Sequence, residues 1–302
     1  MNNMSNNIND NKENNGKQKK FLNLPRLWVQ AAFFALSNGF TLGFLSGSIF
    51  KGKSKAICAP GLNCYSCPGA LFACPIGSLQ TMLGQRKFMA SAYVFGLLMT
   101  FGSVLGRFVC GWLCPFGLVQ DLLHKIPIFK KVKNLPGHKY LIYLKYVVLV
   151  LLVILFPLFL TDDTGMGRQY FCELVCPSGT LLGGLPIIAP NELLQQAIGS
   201  TFIRKAVILV IVLLLSIKVY RPFCKYLCPL GAFYGMFNPI SAYRLNIDEL
   251  KCVKCGKCSA VCKMGVDVVK NANSPECIRC GDCKKACPTG AISSGFCGKT
   301  RQ

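Results

Sequence analysis

Long hydrophobic runs alternate with polar, cysteine-containing segments over most of the chain. The first run has 24 uncharged residues, enough to cross the ~30 Å hydrocarbon core of a bilayer as one helix. The last has a charge-free core of only 12 residues, which basic flanking side chains extend to a full crossing by snorkelling. The pattern predicts four membrane spans, at Leu27–Phe50, Phe88–Gly106, Tyr140–Leu160 and around Ala206–Ile217.

The distribution of charge predicts which side each segment faces, because lysine and arginine are retained on the cytoplasmic side. Residues 1–24 form a polar, basic tail that is expected to be disordered, and the loop 115–139 holds five lysines. The loop 161–203 is comparatively acidic and is assigned to the outside. Four spans in the membrane domain, residues 25–240, then place both termini in the cytoplasm. The chain is expected to be a multi-pass protein of the cytoplasmic membrane.

Two charged features depart from this topology. The first predicted outer loop carries five basic residues against the positive-inside rule, namely Lys51, Lys53, Lys55, Arg86 and Lys87. Lys145 lies near the inner end of the third predicted span. Snorkelling to the lipid head groups is the favoured interpretation of Lys145, and a role with a quinone or a proton is the alternative.

One short motif recurs at the ends of the hydrophobic runs. Three copies have the form Cys-x3-Cys-Pro-x-Gly, and a fourth keeps the Cys-Pro-x-Gly ending with its partner cysteine seven residues upstream. The cysteine pairs are Cys110 and Cys114, Cys172 and Cys176, Cys224 and Cys228, and, in the longer copy, Cys67 and Cys74.

The copy that begins at Cys110 shows what the motif does physically. Residues four apart share a helix face, so the sulfurs of Cys110 and Cys114 can point the same way. Proline suits the first position of a helix, which makes Cys114 the predicted N-cap of a helix over Pro115–His124. Free backbone N–H groups and the positive end of the helix dipole favour a thiolate there, and a thiolate binds iron.

The predicted topology pairs the four copies. Two hairpins of the same orientation form a parallel repeat about an axis along the membrane normal. The inner quartet, expected near the cytoplasmic face, is Cys110, Cys114, Cys224 and Cys228. The outer quartet is Cys67, Cys74, Cys172 and Cys176, with Cys64 as a competing ligand and Cys58 as a spare. Each quartet offers the four sulfurs that a [4Fe–4S] cluster needs; disulfides or inert thiols are the alternative.

Residues 241–297 contain no long hydrophobic run and have a different cysteine spacing. Two successive runs of the form Cys-x2-Cys-x2-Cys-x3-Cys match the bacterial two-cluster ferredoxin, an α+β domain in which the fourth cysteine of each run ligates the other cluster. The first cluster is assigned to Cys252, Cys255, Cys258 and Cys287. The second is assigned to Cys277, Cys280, Cys283 and Cys262. Cys297 is surplus, and Lys263 stands where the pattern usually has proline.

Composition narrows the possible functions. The 302-residue chain is 52% hydrophobic and only 15% charged, as expected of a membrane protein. Nineteen cysteines in such a chain favour metal binding in a reducing compartment over a disulfide scaffold. Ligand thiolates and anionic lipid offset the formal charge of +22, and no nucleic-acid-binding motif occurs. Membrane lipid is therefore an expected partner and nucleic acid is not.

Two further cofactor classes are not expected. The two histidines, His124 and His138, lie in one loop, whereas a haem b site in the bilayer needs histidine pairs on facing helices. No Gly-x-Gly-x-x-Gly fingerprint is present, so NADH would act through another subunit.

Doubled ferredoxin cysteines after four predicted spans, with Cys-x3-Cys-Pro sites at the span ends, resemble the NapH/NosR family of membrane polyferredoxins. The resemblance covers residues 25–295 and is closer to the short NapH-like form, because the sequence lacks the flavin-binding domain of the NosR branch. It implies two [4Fe–4S] clusters in the ferredoxin domain and one or two more in the membrane domain.

The resemblance also implies a function. Electrons would pass between a cytoplasmic donor or the quinone pool and a partner reductase. The resemblance does not decide whether the chain itself binds a quinone. The chain would be the electron-transfer subunit of a quinol dehydrogenase-like oxidoreductase rather than a stand-alone enzyme. The alternative is a redox-sensing or cofactor-maturation protein, in which clusters report rather than conduct.

Overall fold

The computed structural model describes residues 26–85, 88–128, 130–160 and 167–296. These residues form helices and loops, with one two-stranded sheet near the C-terminus. Predictions for the tail 1–24, for Arg86 and Lys87, and for Cys297 lie outside the described residues.

The helices follow the hydrophobic runs and the Cys-Pro motifs. Those before residue 130 are α1 (Arg26–Ser37), α2 (Thr41–Ser46), α3 (Pro75–Gly84), α4 (Phe88–Leu105), α5 (Phe108–Trp112) and α6 (Pro115–Lys125). Those after it are α7 (His138–Phe159), α8 (Tyr170–Leu174), α9 (Pro177–Ile188), α10 (Glu192–Gln196), α11 (Ser200–Lys218), α12 (Pro222–Tyr226) and α13 (Pro229–Phe237). Short π-helical segments, Leu149–Leu155 and Thr180–Gly184, interrupt α7 and α9.

Two helices are long and apolar enough to cross a membrane. They are α7, with 22 residues, and α11, with 19, and they match the third and fourth predicted spans. Only 17% of the apolar stretch of α11 is buried inside the protein, so its hydrophobic side chains face outward, where lipid would cover them. The predicted second span corresponds to α4, whose apolar part is the shorter stretch Ala92–Leu105. By length and composition, the described residues support two of the four predicted spans.

The first predicted span, Leu27–Phe50, is not one helix. α1 ends at Ser37, and its 12 residues make it about 18 Å long, too short to cross a bilayer alone. Asn38 is buried in the break before α2, where its side-chain amide donates to the Phe34 carbonyl and the Ser37 hydroxyl. A side chain that bonds the local backbone competes with the helix, which explains the interruption. α1 instead packs against α5 and α6.

The core of the helical part is built around the cysteine motifs themselves. Phe116, next to the Cys114 motif, meets Phe223, next to Cys224, edge to face with 5.2 Å between ring centroids. Both rings are almost completely buried, and all four cysteines of the predicted inner quartet lie in the same hydrophobic core. Packing of the motif residues therefore brings together segments that are far apart in sequence.

The C-terminal region forms a small sheet-and-helix unit. Its elements are β1 (Tyr243–Ile247), α14 (Lys257–Val261), α15 (Asp282–Ala286) and β2 (Ile292–Phe296). β1 and β2 are antiparallel, with Tyr243 opposite Phe296 and Ile247 opposite Ile292. Leu245 and Val268 pack with one cysteine from each run, Cys258 and Cys283, so the strands and both cysteine runs share one core.

A buried ion-pair cluster holds this unit onto the helices. Glu276 accepts a hydrogen bond from Arg107 at 2.9 Å and another from Lys145. Arg107 and Lys145 are fully buried, so the snorkelling interpretation of Lys145 is wrong: its ammonium group points inward to a carboxylate. Burial would raise the pKa of Glu276, but the two cations outweigh burial and lower it.

Asn238, just after α13, fixes the same junction through its side-chain amide. Its Oδ1 accepts from the Arg107 backbone N–H at 3.0 Å, and its Nδ2 donates to the Cys277 carbonyl at 2.7 Å. Arg279 adds hydrogen bonds to the Leu105 and Asn238 carbonyls at 2.9 and 2.8 Å. The second cysteine run is thereby held against the end of α4.

We expect Glu276→Ala to lower the free energy of unfolding by about 3–5 kcal/mol, because it leaves two buried cations without their carboxylate. Trp112, whose indole donates to the Arg279 carbonyl, provides a fluorescence signal for detachment of the C-terminal unit. Urea titration of the detergent-solubilised protein measures the change. Lys270→Ala is the control. Lys270 is exposed and its ion pair with Asp267 is long, at 4.0 Å, so its loss should leave the free energy of unfolding close to that of the wild type. Equal stability of the two variants would contradict the role of Glu276.

Candidate metal centres

All four Cys-Pro-x-Gly copies fold in the same way. In each, the cysteine is the N-cap and the proline is the first residue of a helix, as seen for Cys74, Cys114, Cys176 and Cys228. In two of the copies, those of Cys176 and Cys228, the cysteine sulfur accepts a hydrogen bond at 3.4 Å from the glycine N–H three residues on. The predicted N-cap role of Cys114 is confirmed, with its helix ending at Lys125.

Glycine in this motif leaves room for a partner segment. A Cβ on Gly77 would lie 3.7 Å from the sulfur of Cys172, and one on Gly179 would lie 3.8 Å from the sulfur of Cys64. A longer side chain at either position would enter the space between the cysteines of different copies. The motif therefore places a cysteine sulfur at the start of a helix and leaves space beside it for a cysteine of another copy.

The inner quartet comes together as predicted from sequence. Cys110, Cys114, Cys224 and Cys228 are each at most 6% exposed. Burial raises the pKa of Cys224 to about 11, and the nearby Cys114 contributes to that rise. Burial also raises the pKa of Cys228, with further increases from Cys224, Cys110 and Cys114. Burial therefore opposes the thiolate that a helix N-terminus favours, and metal binding would have to displace the protons.

Two arginines, which the sequence analysis missed, place positive charge beside the inner quartet. Arg107 and Arg221 are fully buried, and each stands three residues before the first cysteine of its motif. Burial raises the pKa of Cys110, and both arginines oppose that rise. Arg221 also donates to the Cys110 carbonyl at 2.5 Å. Fixed cations of this kind favour a site that carries negative charge.

Asp121 holds Arg221 in place. Its carboxylate accepts from Arg221 at 2.6 and 2.7 Å and also accepts from Arg26. Burial would raise the pKa of Asp121, but Arg221 and Arg26 lower it to about 2. The carboxylate is therefore ionised at neutral pH, and it orients the guanidinium group that faces the inner cysteines.

Two glutamines at equivalent motif positions donate to cysteine sulfurs. Gln120 Nε2 lies 3.2 Å from the sulfur of Cys224, and Gln80 Nε2 lies 3.4 Å from the sulfur of Cys172. Each glutamine follows its Cys-Pro cysteine by six residues, so the repeat Cys-Pro-x-Gly-x2-Gln was available in the sequence and was missed. The Cys74 copy thus meets the Cys172 copy in the same way as the Cys114 copy meets the Cys224 copy.

In the outer group the structure places Cys64, rather than Cys67, beside Cys74, Cys172 and Cys176. Burial raises the pKa of Cys74 to about 12, with contributions from Cys176 and Cys64. Cys67 is fully buried next to Cys64, but its thiol donates to the Asn38 side chain at 3.5 Å. The structure therefore favours the competing ligand Cys64 over Cys67, because Asn38, in the break after α1, holds the cysteine that the motif spacing had selected.

The two cysteine groups of the helical part lie close to each other. A Cβ on Gly61 would lie 3.2 Å from the Cα of Cys114, and Cys64 of the outer group is three residues further along. Three residues reach at most about 11 Å, so the Cα atoms of Cys64 and Cys114 are within about 16 Å. The two groups are therefore closer together than the ~30 Å thickness of a hydrocarbon core.

The physical reason is a helical hairpin. α3 and α4 pack against each other as successive helices, so the start of α3, at Cys74, is brought back along α4 toward Cys110. Tyr234 fills the space between the groups: it is fully buried, and its hydroxyl donates to the Pro60 carbonyl at 3.0 Å. Burial raises the pKa of Tyr234, with contributions from Cys110 and Cys74, one from each group.

The C-terminal cysteines form the two groups that their spacing predicts. Cys252, Cys255, Cys258 and Cys287 line one cavity near the surface. In the other group, burial raises the pKa of Cys283 to about 12, and Cys277, Cys280 and Cys262 raise it further. Each group therefore takes its fourth cysteine from the other run.

The second of these groups touches the inner quartet. Trp112 donates to the Arg279 carbonyl at 3.1 Å, and a Cβ on Gly111 would lie 2.2 Å from the Ile278 carbonyl oxygen. Gly111 follows Cys110 and Ile278 follows Cys277, so the backbones that carry these cysteines are in contact.

The donor sets suit iron–sulfur clusters. A [4Fe–4S] cluster binds one cysteine at each iron, so its four ligand sulfurs surround a space larger than one ion. In the described part of the chain, every cysteine is a free thiol, and no three His, Cys, Asp or Glu side chains surround a single metal-ion position. Arg107, whose side chain lies beside Cys110, has a buried Nε without a hydrogen-bond partner among the described residues, which suits a site whose occupant accepts hydrogen bonds.

Comparisons with known proteins agree with this geometry. A 4Fe-4S binding domain model matches residues 88–136, 145–186 and 204–247, and a second 4Fe-4S binding domain model matches 273–293. An uncharacterized protein of Methanocaldococcus jannaschii is 36% identical over 204 residues, which cover 66% of this chain and 76% of that protein. The ferredoxin-type protein NapH of Haemophilus influenzae is 30% identical over 172 residues. This chain belongs to the NapH/NosR-type polyferredoxin family.

Shared length differs between members of the polyferredoxin family. The match covers 55% of this chain and 51% of NapH. The regulatory protein NosR of Pseudomonas aeruginosa is 34% identical over 160 residues, 48% of this chain and 19% of NosR. No solved structure matches the chain.

The matching domain models and relatives make this polyferredoxin a ferredoxin-type iron–sulfur protein of electron transport. Its two long apolar helices favour a membrane location.

Serine substitutions distinguish the two candidate cysteines of the outer group in this polyferredoxin. We expect Cys64→Ser to lose about 4 iron atoms per chain and Cys67→Ser to lose none, because only the Cys64 sulfur lies among the other three. Iron and labile sulfide are measured after anaerobic purification. Iron loss in Cys67→Ser, with full iron in Cys64→Ser, would restore the quartet first predicted from spacing.

Leucine at the two glutamines tests the hydrogen bonds to sulfur. Removing a donor destabilises the more negative reduced state, so Gln120→Leu should lower one cluster's reduction potential by about 20–60 mV. Gln80→Leu is the matched variant and should shift a different signal by a similar amount. Redox titration followed by EPR measures both. A shift of the same signal in both variants would contradict the assignment of the glutamines to separate groups.

Proposed function

We propose that this polyferredoxin carries electrons along four [4Fe–4S] sites, from the exposed end of the C-terminal unit into the helical core. The observation that carries the proposal is the contact between successive cysteine groups. Gly111 meets Ile278 at one junction, and Gly61 meets Cys114 at the next. Tunnelling falls steeply with distance, so sites on contacting backbones suit transfer from one to the next.

Each site has a proposed ligand set. The two in the C-terminal unit are Cys252, Cys255, Cys258 and Cys287, and Cys277, Cys280, Cys283 and Cys262. The inner membrane-domain site is Cys110, Cys114, Cys224 and Cys228, and the outer one is Cys64, Cys74, Cys172 and Cys176. When bound, such clusters exchange single electrons at potentials set by charge, hydrogen bonds and exposure.

The chain itself would set those potentials. Arg107 and Arg221 bring two buried positive charges to the inner group, and Gln120 donates to one of its sulfurs. At the outer group, Lys205 and Lys55 oppose the effect of burial on the pKa of Cys64. Positive charge and hydrogen bonds stabilise the reduced form of a site, so both groups are suited to accept electrons.

We further propose that the C-terminal unit and the lysine-rich loop 115–139 lie on the cytoplasmic side, following the positive-inside rule. The helices α7 and α11 would anchor the protein in the membrane. The outer group lies beside Lys205, at the start of the outward-facing α11. Electrons would therefore be exchanged with a partner reductase or a quinone at that end of the series.

Cys110→Ser tests whether electrons pass through the inner cysteine group, which lies between the C-terminal sites and the outer group. We expect the wild type to hold about 16 iron atoms per chain and the variant about 12, with the EPR signals of the C-terminal sites unchanged. A reductant too large to reach buried sites should then reduce the C-terminal sites of the variant, while reduction of the outer site becomes much slower.

Two outcomes would contradict the proposal. About 8 iron atoms in the wild type would confine the clusters to the C-terminal unit. Unchanged reduction of the outer site in Cys110→Ser would show that electrons bypass the inner group.

A further inference from the structure

The two cysteine runs of the C-terminal unit place the same kind of residue pair between their first two cysteines. The pair is Ile278 and Arg279 in the second run, and Val253 and Lys254 in the first. The basic residue has a positive φ in both runs, 53° at Arg279 and 52° at Lys254. The two turns therefore present an apolar and a basic side chain from the same backbone conformation.

In the second run this pair is a docking element. Ile278 and Arg279 are 1% and 3% exposed, because the turn is pressed against the helical part of the protein. The Arg279 guanidinium donates to the carbonyls of Leu105 and Asn238, and the Ile278 carbonyl lies against Gly111. This turn joins the second C-terminal cysteine group to the inner quartet.

In the first run the corresponding pair is open to solvent. Val253 is 66% exposed, and the neighbouring Leu250 is 99% exposed. Lys254 and Lys257 are exposed and form no ion pair with any residue within the described ranges. Cys255, from the cysteine group that this surface surrounds, is itself exposed.

We propose that this surface, formed by Leu250, Val253, Lys254 and Lys257, docks a small acidic electron-carrier protein. The inference rests on the proposed function, whose series of sites needs an entry point at its exposed end. The apolar pair supplies burial, and the unpaired lysines supply charge complementarity to carboxylates. One electron passes between the carrier and the site at Cys252, Cys255, Cys258 and Cys287, so one partner is oxidised as the other is reduced and no atoms transfer.

Charge selects this occupant over a second copy of the chain. Two copies meeting through this surface would bring Lys254 and Lys257 against their own equivalents, and like charges at close range are unfavourable. An acidic partner removes that repulsion and gains steering during encounter.

The test uses the full chain in detergent and an acidic flavodoxin as the probe carrier. Stopped-flow absorbance measures the second-order rate of electron exchange at low ionic strength. We expect Lys257→Glu and Lys254→Glu each to slow exchange about tenfold or more, and the difference from wild type to shrink at high salt. Lys257 is the first residue of α14, where glutamate is favourable, so that variant should fold normally.

Lys270→Glu is the matched control, because Lys270 is an exposed lysine of the same unit that does not line the cavity. It should exchange electrons at close to the wild-type rate. Equal slowing in this control, or no slowing in the two surface variants, would overturn the proposed docking surface. Binding to anionic vesicles that is lost in Lys257→Glu while flavodoxin exchange is kept would assign the surface to lipid instead. A small uncharged photoreductant separates the two proposals, since failure to reduce the wild type would refute the proposed function itself.

Discussion

The hydrogen bond from a glycine N–H to a cysteine sulfur at the start of a short helix is the interaction on which the structure depends. It occurs between Cys176 and Gly179 and between Cys228 and Gly231, each time at 3.4 Å. The same turn gives the sulfur a donor, directs it toward the core and leaves an open side where a partner segment enters. Four Cys-Pro turns, two of them with this hydrogen bond, bring separate hydrophobic runs together into two convergent groups of thiols.

Convergent buried thiols impose an electrostatic requirement on their surroundings. Burial favours the neutral thiol, whereas a cluster requires thiolates and carries negative charge. The inner group meets this requirement with Arg107 and Arg221, which are themselves buried and need carboxylate partners. Glu276 and Asp121 supply those carboxylates, and Glu276 comes from the C-terminal unit. The same ion pairs therefore balance the charge of the inner group and hold the C-terminal unit against the helices.

Sequence patterns within short segments predicted the features that depend on neighbouring residues. Pro115 after Cys114 predicted the N-cap, the spacing of the C-terminal cysteines predicted which of them meet, and the apolar runs predicted α7 and α11. The errors involve contacts between distant residues: Lys145 meets Glu276 131 positions away, and Cys67 is held by Asn38. Asn38 also interrupts the first predicted span. The interruption was not predicted, because a single uncharged polar residue does not stand out in a hydrophobic run. The distance between the two cysteine groups depends on the α3–α4 hairpin, which neither charge nor motif spacing specifies.

The central claim is that the two cysteine groups of the helical part adjoin each other around Tyr234 and Pro60. Pulsed EPR of the fully reduced protein measures this most directly, because magnetic coupling between two paramagnetic clusters falls rapidly with their separation. The structure predicts strong dipolar coupling between the inner and outer clusters, which disappears when Cys172→Ser removes the outer one. Two uncoupled signals in the wild type, with the signal of the inner cluster unchanged by Cys172→Ser, would contradict the claim and would show that the two groups lie far apart.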